Sequence, residues 1–457
     1  MRITEARIFG LRIPFVETFS HSASARARSD SVVVRVTAEN GTVGYGEGVA
    51  RPYVTGETVE SLVSCVVNEL WPAVASADYA QITRSPDPFS ALSSISESLP
   101  DHSANGVIAG HGARTAVELA LIDCLLRSER LSLGEILPPK RPAVIYSGVI
   151  TSGSIDAAVR HARYFKLFGI KHIKIKIDAA NPVERVAAIR RAVGPDVSLR
   201  VDANGAFEPV TASGVLSSLG ELGVAVAEQP IPRGDPAELA RLSSDSPIPI
   251  MADESLVTLA DARALTATRA CEYFNLRLSK CGGIIRTLQM ARLAENAGLR
   301  VQLGSHVGET AILSAAGRHV AAYIDQVEFV EGSYGKLLLA EDISRDSIVF
   351  GHGGAAPLLR GPGLGIRVRE EVLRKYAHNI ITLVSSAGLR SRQRRNKNVS
   401  TDEERHPSAG TTRKSSPRKV CHGSGNCSAR LFVQAADKER KDRFRTATRL
   451  CGHSHGE

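Results

Sequence analysis

Six polar residues recur at near-constant spacing through the middle of the chain: Lys176, Asp202, Glu228, Asp253, Lys280 and His306, separated by 26, 26, 25, 27 and 26 residues. The first four close short apolar runs, and the three central ones are carboxylates. Three acids converging on one rim repel one another unless a cation joins them. Three monodentate oxygens that leave octahedral positions open suit Mg²⁺, with Mn²⁺ as a substitute, whereas calcium asks for more oxygens and zinc for His or Cys. Asn204 and Glu254 lie beside the triad in sequence. In Ile173-Lys174-Ile175-Lys176-Ile177 a period of two sends both lysines to the face opposite the isoleucines. Burying two like charges is costly unless anions or chemistry compensate, and a lysine crowded by another cation has the lowered pKa that a base near neutral pH needs. Lys280, before Cys281-Gly282-Gly283, reads as the end of another strand, and four units separate it from Lys176.

These residues need elements to carry them. A repeat of about 26 residues accommodates one strand, one helix and two loops, and six successive units projecting chemistry from one rim imply a (β/α) barrel with its site at the C-terminal face. An open doubly wound sheet would rarely use six consecutive strands in one pocket. The linking segments carry helix signals: Asn181-Pro182-Val183-Glu184 offers an N-cap, a proline at the first helical position and an acid at the third, with Gly194 as a stop, and Asp235-Pro236-Ala237-Glu238 repeats the device. From about residue 142 to 360 the pattern is therefore parallel βαβ units. Before it, residues 1–135 read as an α+β unit, with a hairpin from Ser31–Val36 through Asn40-Gly41 to Val43–Glu47, an amphipathic helix over Ala113–Leu126, and Pro138-Pro139 as a break.

Composition bounds the function. The 457 residues are 43% hydrophobic and 23% charged, no apolar run reaches a membrane-spanning length, and Arg2, Glu5, Arg7 and Arg12 interrupt the start, so a cytoplasmic enzyme without membrane contact is expected. The net charge of +9 is a property of the tail. Residues 385–457 hold 17 Lys+Arg against 7 Asp+Glu, leaving 40 against 41 before them, so the body offers no footprint for nucleic acid. The tail reads as a solvated, disordered appendage; its Cys421, His422, Cys427, Cys451, His453 and His455 are zinc-type ligands without the apolar periodicity of a folded module. Seven cysteines without framework spacing suit a reducing compartment.

In combination, Lys174-x-Lys176, Asp202-x-Asn204, Glu228-Gln229-Pro230, Ala252-Asp253-Glu254-Ser255 and Lys280-x-Gly282-Gly283 resemble the signature of the enolase superfamily, and within its mandelate racemase/muconate lactonizing enzyme family the muconate cycloisomerase subgroup. The resemblance spans about residues 1–378, where Gly361-Pro362-Gly363-Leu364-Gly365 and the segment to Tyr376 are similar to the family's closing piece. It implies an α/β fold: a modified (β/α)₇β TIM-type barrel over residues 136–378, an N-terminal α+β capping domain over 1–135, and a segment 361–378 that returns to the cap. It also implies Mg²⁺ on Asp202, Glu228 and Asp253, Lys176 as base on one face with Lys174 tuning it, and Lys280 as acid/base on the other. A proton α to a carboxylate is barely acidic, so the developing dianion needs a metal and nearby ammonium groups.

The expected activity is α-proton abstraction from a small-molecule carboxylate, ending in racemisation, epimerisation or cycloisomerisation. A lyase dehydrating a β-hydroxy acid is the alternative, and a non-catalytic barrel a remoter one. Dipeptide epimerases of the subgroup carry Asp-x-Asp on the eighth strand, where this chain has Glu328-Phe329-Val330-Glu331, which argues against a dipeptide. On the seventh unit Glu309 reads as a substrate contact, with His306 supporting the site rather than acting as base. Phe19-Ser20-His21 and Arg51-Pro52-Tyr53-Val54 resemble the two loops that close over substrate, bringing His21 and Tyr53 into the candidate site. A homo-oligomer is expected.

Overall fold

The computed structural model describes residues 1–21, 24–85, 87–103, 106–151 and 153–390. Most of the basic tail, including its candidate zinc ligands, lies outside the described residues, as does the His21 side chain.

Eight parallel strands follow one another around a barrel: Gly148–Ile150, His172–Lys176, Ser198–Asp202, Val224–Glu228, Ile250–Ala252, Tyr273–Leu276, Arg300–Leu303 and Val327–Val330. The ring closes where the Ser147 N–H donates to Val330 O at 2.8 Å and the Tyr334 hydroxyl to Ser147 O at 2.7 Å. Helices fill the seven gaps, giving the (β/α)₇β barrel. Register explains the regular spacing of the polar residues: Lys176 pairs with Asp202, Asp202 with Glu228, and Glu228 with Met251, so the strands deliver their chemistry to one level of the rim.

Two local expectations change. The helix Pro182–Val193 forms and stops at Gly194, but Asn181 makes no side-chain cap; Asp235 does cap its helix, accepting from Ala237 N–H at 2.9 Å. Lys280 does not end a strand. The sixth strand stops at Leu276, and Lys280 sits on a one-turn helix, Leu278–Cys281, from which its ammonium reaches back to Asn275 O at 2.7 Å. Behind this turn Gly283 has φ +110°, and a Cβ there would lie 1.3 Å from the Glu118 carboxylate.

The N-terminal part is an antiparallel sheet in the order Ala377–Val384, Ile3–Leu11, Ser31–Ala38, Val43–Val49. The last two strands are the hairpin read from the sequence, each longer by two residues. The helix His111–Glu129 lies against this sheet and, contrary to the amphipathic reading, is buried all round from His111 to Leu126, because sheet and barrel cover it from different sides. Its close approach depends on Gly44, Gly46 and Gly48, where a Cβ would come within 2.3, 2.0 and 1.9 Å of backbone atoms at Ala120, Ala116 and Gly112. Among the described residues no helix is long and apolar enough to cross a membrane, and Cys65, Cys124, Cys271 and Cys281 are buried free thiols.

Candidate active site

The three acids are fully buried at the ends of the third and fourth strands and just beyond the fifth, and cations link them in a chain. Lys176 donates to Asp202 and to Asn204 Oδ1, both at 2.6 Å. Lys174 lies 3.1 Å from Asp202 Oδ2, 3.1 Å from Glu228 Oε2 and 2.8 Å from Glu331 Oε2. Arg277 bonds both Glu228, at 3.3 Å, and Asp253. Lys280 donates to Asp253 Oδ1 at 2.7 Å and to its carbonyl oxygen at 2.8 Å. Lys176 on the second strand and Lys280 after the sixth therefore grip the outer acids of the triad from opposite sides of the ring.

Electrostatics follow from this packing. Burial alone would raise Asp202 and Asp253, but Lys176 and Lys174 pull the first below the ordinary carboxylate range, and Arg277 and Lys280 the second. Glu228 is raised, by burial and by the negative charge of Asp202 beside it. For Lys174, Glu228, Glu331 and Asp202 outweigh the lowering effect of burial and raise it, so it is an ion-paired ammonium rather than a cation crowded by its own kind. Burial and the neighbouring Asp253 push Glu254 up to about 7; its Oε1 accepts from Asn204 Nδ2 at 2.9 Å, and its Oε2 is buried without a partner. Three carboxylates on adjacent units, with an orphaned acid oxygen beside them, have the donor chemistry of a hard divalent cation's ligands, but among the described residues no three of them converge on one point, because Lys174, Lys176, Arg277 and Lys280 lie between them.

The remaining candidates lie around this cluster. Glu331 is held by Lys174 and by Arg200 at 2.8 Å, which leaves it little capacity for a substrate ammonium, while Glu328 faces Arg300 and Tyr273 away from the acids. His306 is buried with neither ring nitrogen partnered, and burial together with Arg51, Arg277 and Lys280 keeps its imidazole neutral. Glu309 accepts from the His306 N–H at 2.6 Å and is pushed up to about 8, chiefly by burial. Tyr53 is partly exposed under Arg26, whose guanidinium carbon lies 5.9 Å from the ring centre.

The N-terminal sheet secures the loops that carry these groups. Glu47, fully buried, accepts from Ser31 Oγ, from Thr310 N–H and Oγ, and from Leu313 N–H at 2.6 to 3.1 Å, so a cap carboxylate anchors the first turn of the barrel helix Ala311–Tyr323. Arg51 reaches Val307 O in the same loop. The Lys280 turn is held likewise: Val49 N–H donates to Ser279 Oγ at 2.9 Å, and His111 Nδ1–H to Lys280 O at 2.6 Å.

A family model described as "Enolase C-terminal domain-like" matches residues 157–372. Chloromuconate cycloisomerase CbnB of Cupriavidus necator is 30% identical over 361 residues, covering 76% of this chain and 90% of its own length. The chain belongs to the enolase superfamily. Within it the relatives lie in the mandelate racemase/muconate lactonizing enzyme branch, and the protein is an isomerase. The crystal structure of N-succinyl Arg/Lys racemase from Bacillus cereus superposes with a TM-score of 0.75 at 27% identity, covering 84% of this chain and all of its own. That of a dipeptide epimerase from Cytophaga hutchinsonii, complexed with Mg and D-Ala-L-Val, gives 0.73 at 25%, again covering 84% and all. In this superfamily member Arg200, Asn275, Arg277 and Gln302 also line the acid cluster, and the sequence reading missed them. The signal was present in the alternation, since Arg200 shares a strand face with Asp202, and Asn275 with Arg277.

Proposed function

We propose that this enzyme is a Mg²⁺-dependent isomerase that removes the α-proton of a small carboxylate substrate through an enediolate, as a racemase, epimerase or cycloisomerase. The observation that carries it is the opposed placement of Lys176 and Lys280 on the outer acids of one buried triad. A divalent cation held by Asp202, Glu228 and Asp253 would supply Lewis-acid charge for the substrate carboxylate. Lys176, as the neutral amine, takes the proton from one face and leaves as the ammonium, with Asn204 Oδ1 and Asp202 aiming its nitrogen. Lys280 delivers a proton on the other face, and Asp253 together with the carbonyl of Asn275 fixes its reach. The buried cluster excludes water, which strengthens each ammonium's stabilisation of a developing dianion.

Ion pairing of Glu331 with Lys174 and Arg200 favours substrates without a free α-ammonium over dipeptides. N-acylated amino acids and unsaturated diacids meet that condition, and the Bacillus cereus and Cupriavidus necator relatives are named for substrates of these two kinds. The test is a panel of such acids incubated with enzyme and Mg²⁺ in D₂O and read by mass spectrometry. Racemisation adds one deuterium at the α-carbon and cycloisomerisation moves the absorbance of a conjugated diacid, whereas dehydration would lose water. Turnover unaffected by EDTA, or a loss of water, would overturn the reading.

A further inference from the structure

Arg277 has no part in the proton transfers just described, yet it occupies the centre of the acid cluster. It is buried, and its guanidinium donates to Glu228 Oε1 at 3.3 Å and to Asp253, bridging the acids of two neighbouring units. Glu228 is otherwise fully engaged: Oε1 accepts from Asn275 Nδ2 at 2.7 Å, and Oε2 from Gln302 Nε2 at 3.0 Å and Lys174 at 3.1 Å. Asp253 has Lys280 on its other oxygen. A guanidinium has donors only, and a divalent cation requires lone pairs, so the two compete for the same carboxylate oxygens. Two cations within a few ångströms in a buried site also repel strongly.

We propose that Arg277 is the internal counter-ion of the metal cradle: it clasps Glu228 and Asp253 in the metal-free protein, and metal uptake must part it from at least one of them. The inference rests on the reading that these acids are metal ligands. The guanidinium keeps buried carboxylates from standing uncompensated, a state that would otherwise destabilise the apoprotein. It also sets a threshold on metal affinity, because binding gains the ion and loses the clasp.

The test uses Mg²⁺ alone as ligand, with calorimetry for affinity and melting temperature in EDTA or saturating Mg²⁺ for stability, on the full chain and on Arg277→Gln and Arg277→Lys. Arg277→Gln should bind Mg²⁺ at least about tenfold more tightly than the parent and melt lower in EDTA, with Mg²⁺ recovering most of the loss. Arg277→Lys keeps the charge but reaches one acid instead of bridging two, so its affinity should fall between the others. Equal affinity of parent and Arg277→Gln, or Arg277→Lys indistinguishable from the parent while Arg277→Gln tightens, would overturn the shared-oxygen clasp and leave the isomerase reading standing. Mg²⁺ binding by Arg277→Gln but not by the parent would support the clasp and count against Mg²⁺ as the parent's working cofactor. If neither binds Mg²⁺, both readings fall. Should Arg277→Gln not fold in EDTA, refolding it in Mg²⁺ keeps the comparison: soluble recovery only with the metal supports the clasp, and none in either overturns it.

Discussion

At the scale of single residues, the two lysines can be told apart by what each leaves behind. If Lys176 and Lys280 serve opposite faces, Lys176→Ala and Lys280→Ala should each lower racemisation by about 10²–10⁴-fold, the usual contribution of a positioned acid or base. Each variant should still exchange the α-proton of one enantiomer with D₂O, and the two should prefer opposite enantiomers. NMR loss of the α-proton signal from resolved enantiomers measures this, and the same preference in both variants would rule out two-base transfer. The acids and lysines were legible in the sequence because each sits at a repeating interval, which only a shared rim explains. For Arg277 the alternation carries its face but not its effect, which lies in bridging Glu228 and Asp253, a contact between units. The same holds for Lys174, whose neighbours along the strand suggested cation crowding while its neighbours across the barrel are acids.

At the scale of elements, barrel strands and helices follow from periodicity, but the ties between cap and barrel come from side chains far apart in sequence. Glu57 makes a tie inside the cap itself, also between residues distant in sequence. It accepts from Gly112 N–H at 2.9 Å and Ala113 N–H at 3.2 Å, capping the helix His111–Glu129 whose own N-cap position, Gly110, has no side chain to do so. Burial pushes its carboxyl up to about 7, from 4.5. Between these values the folded state binds the proton and the unfolded state does not, so stability falls as pH rises through the window: the contribution is complete below 4.5 and gone above 7. Glu57→Gln keeps an acceptor for the cap and removes the titration. Its melting temperature should depend less steeply on pH between 4.5 and 7 than the parent's, the difference amounting to on the order of 3 kcal/mol across the window. Parallel curves would mean that Glu57 stays ionised when folded. Glu118, also buried and raised to about 7, contributes equally to both proteins.

At the scale of the whole molecule, the closing strand decides where the chain can be cut. Ala377–Val384 pairs along Ile3–Leu11, and Ser385 N–H donates to Thr4 O at 3.0 Å. Cleavage after Arg390 should therefore leave kcat/KM within about twofold and the melting temperature unchanged, and a loss above about tenfold would show that the tail contributes to catalysis. A cut at Thr382, which composition alone would tolerate, removes Leu383 and Val384 from the sheet, and a cut after Tyr376 removes the strand; the melting temperature should fall progressively in that order. The same pairing has a consequence for biosynthesis. Ile8 cannot meet Ile381 until nearly all the described chain has left the ribosome, and at roughly 5–20 residues per second that is a delay of tens of seconds. Throughout it the first strand waits with one edge open, a time in which nascent chains are vulnerable to pairing with each other. A chain released early, with its barrel made but its last strand untranslated, would leave the Ile3–Leu11 edge uncovered, on the far side of the sheet from Glu47 and Val49. The edge of the cap that ties down the loops of His306 and Lys280 can therefore pair before the last strand exists, and what the end of synthesis adds is the cover of the opposite edge.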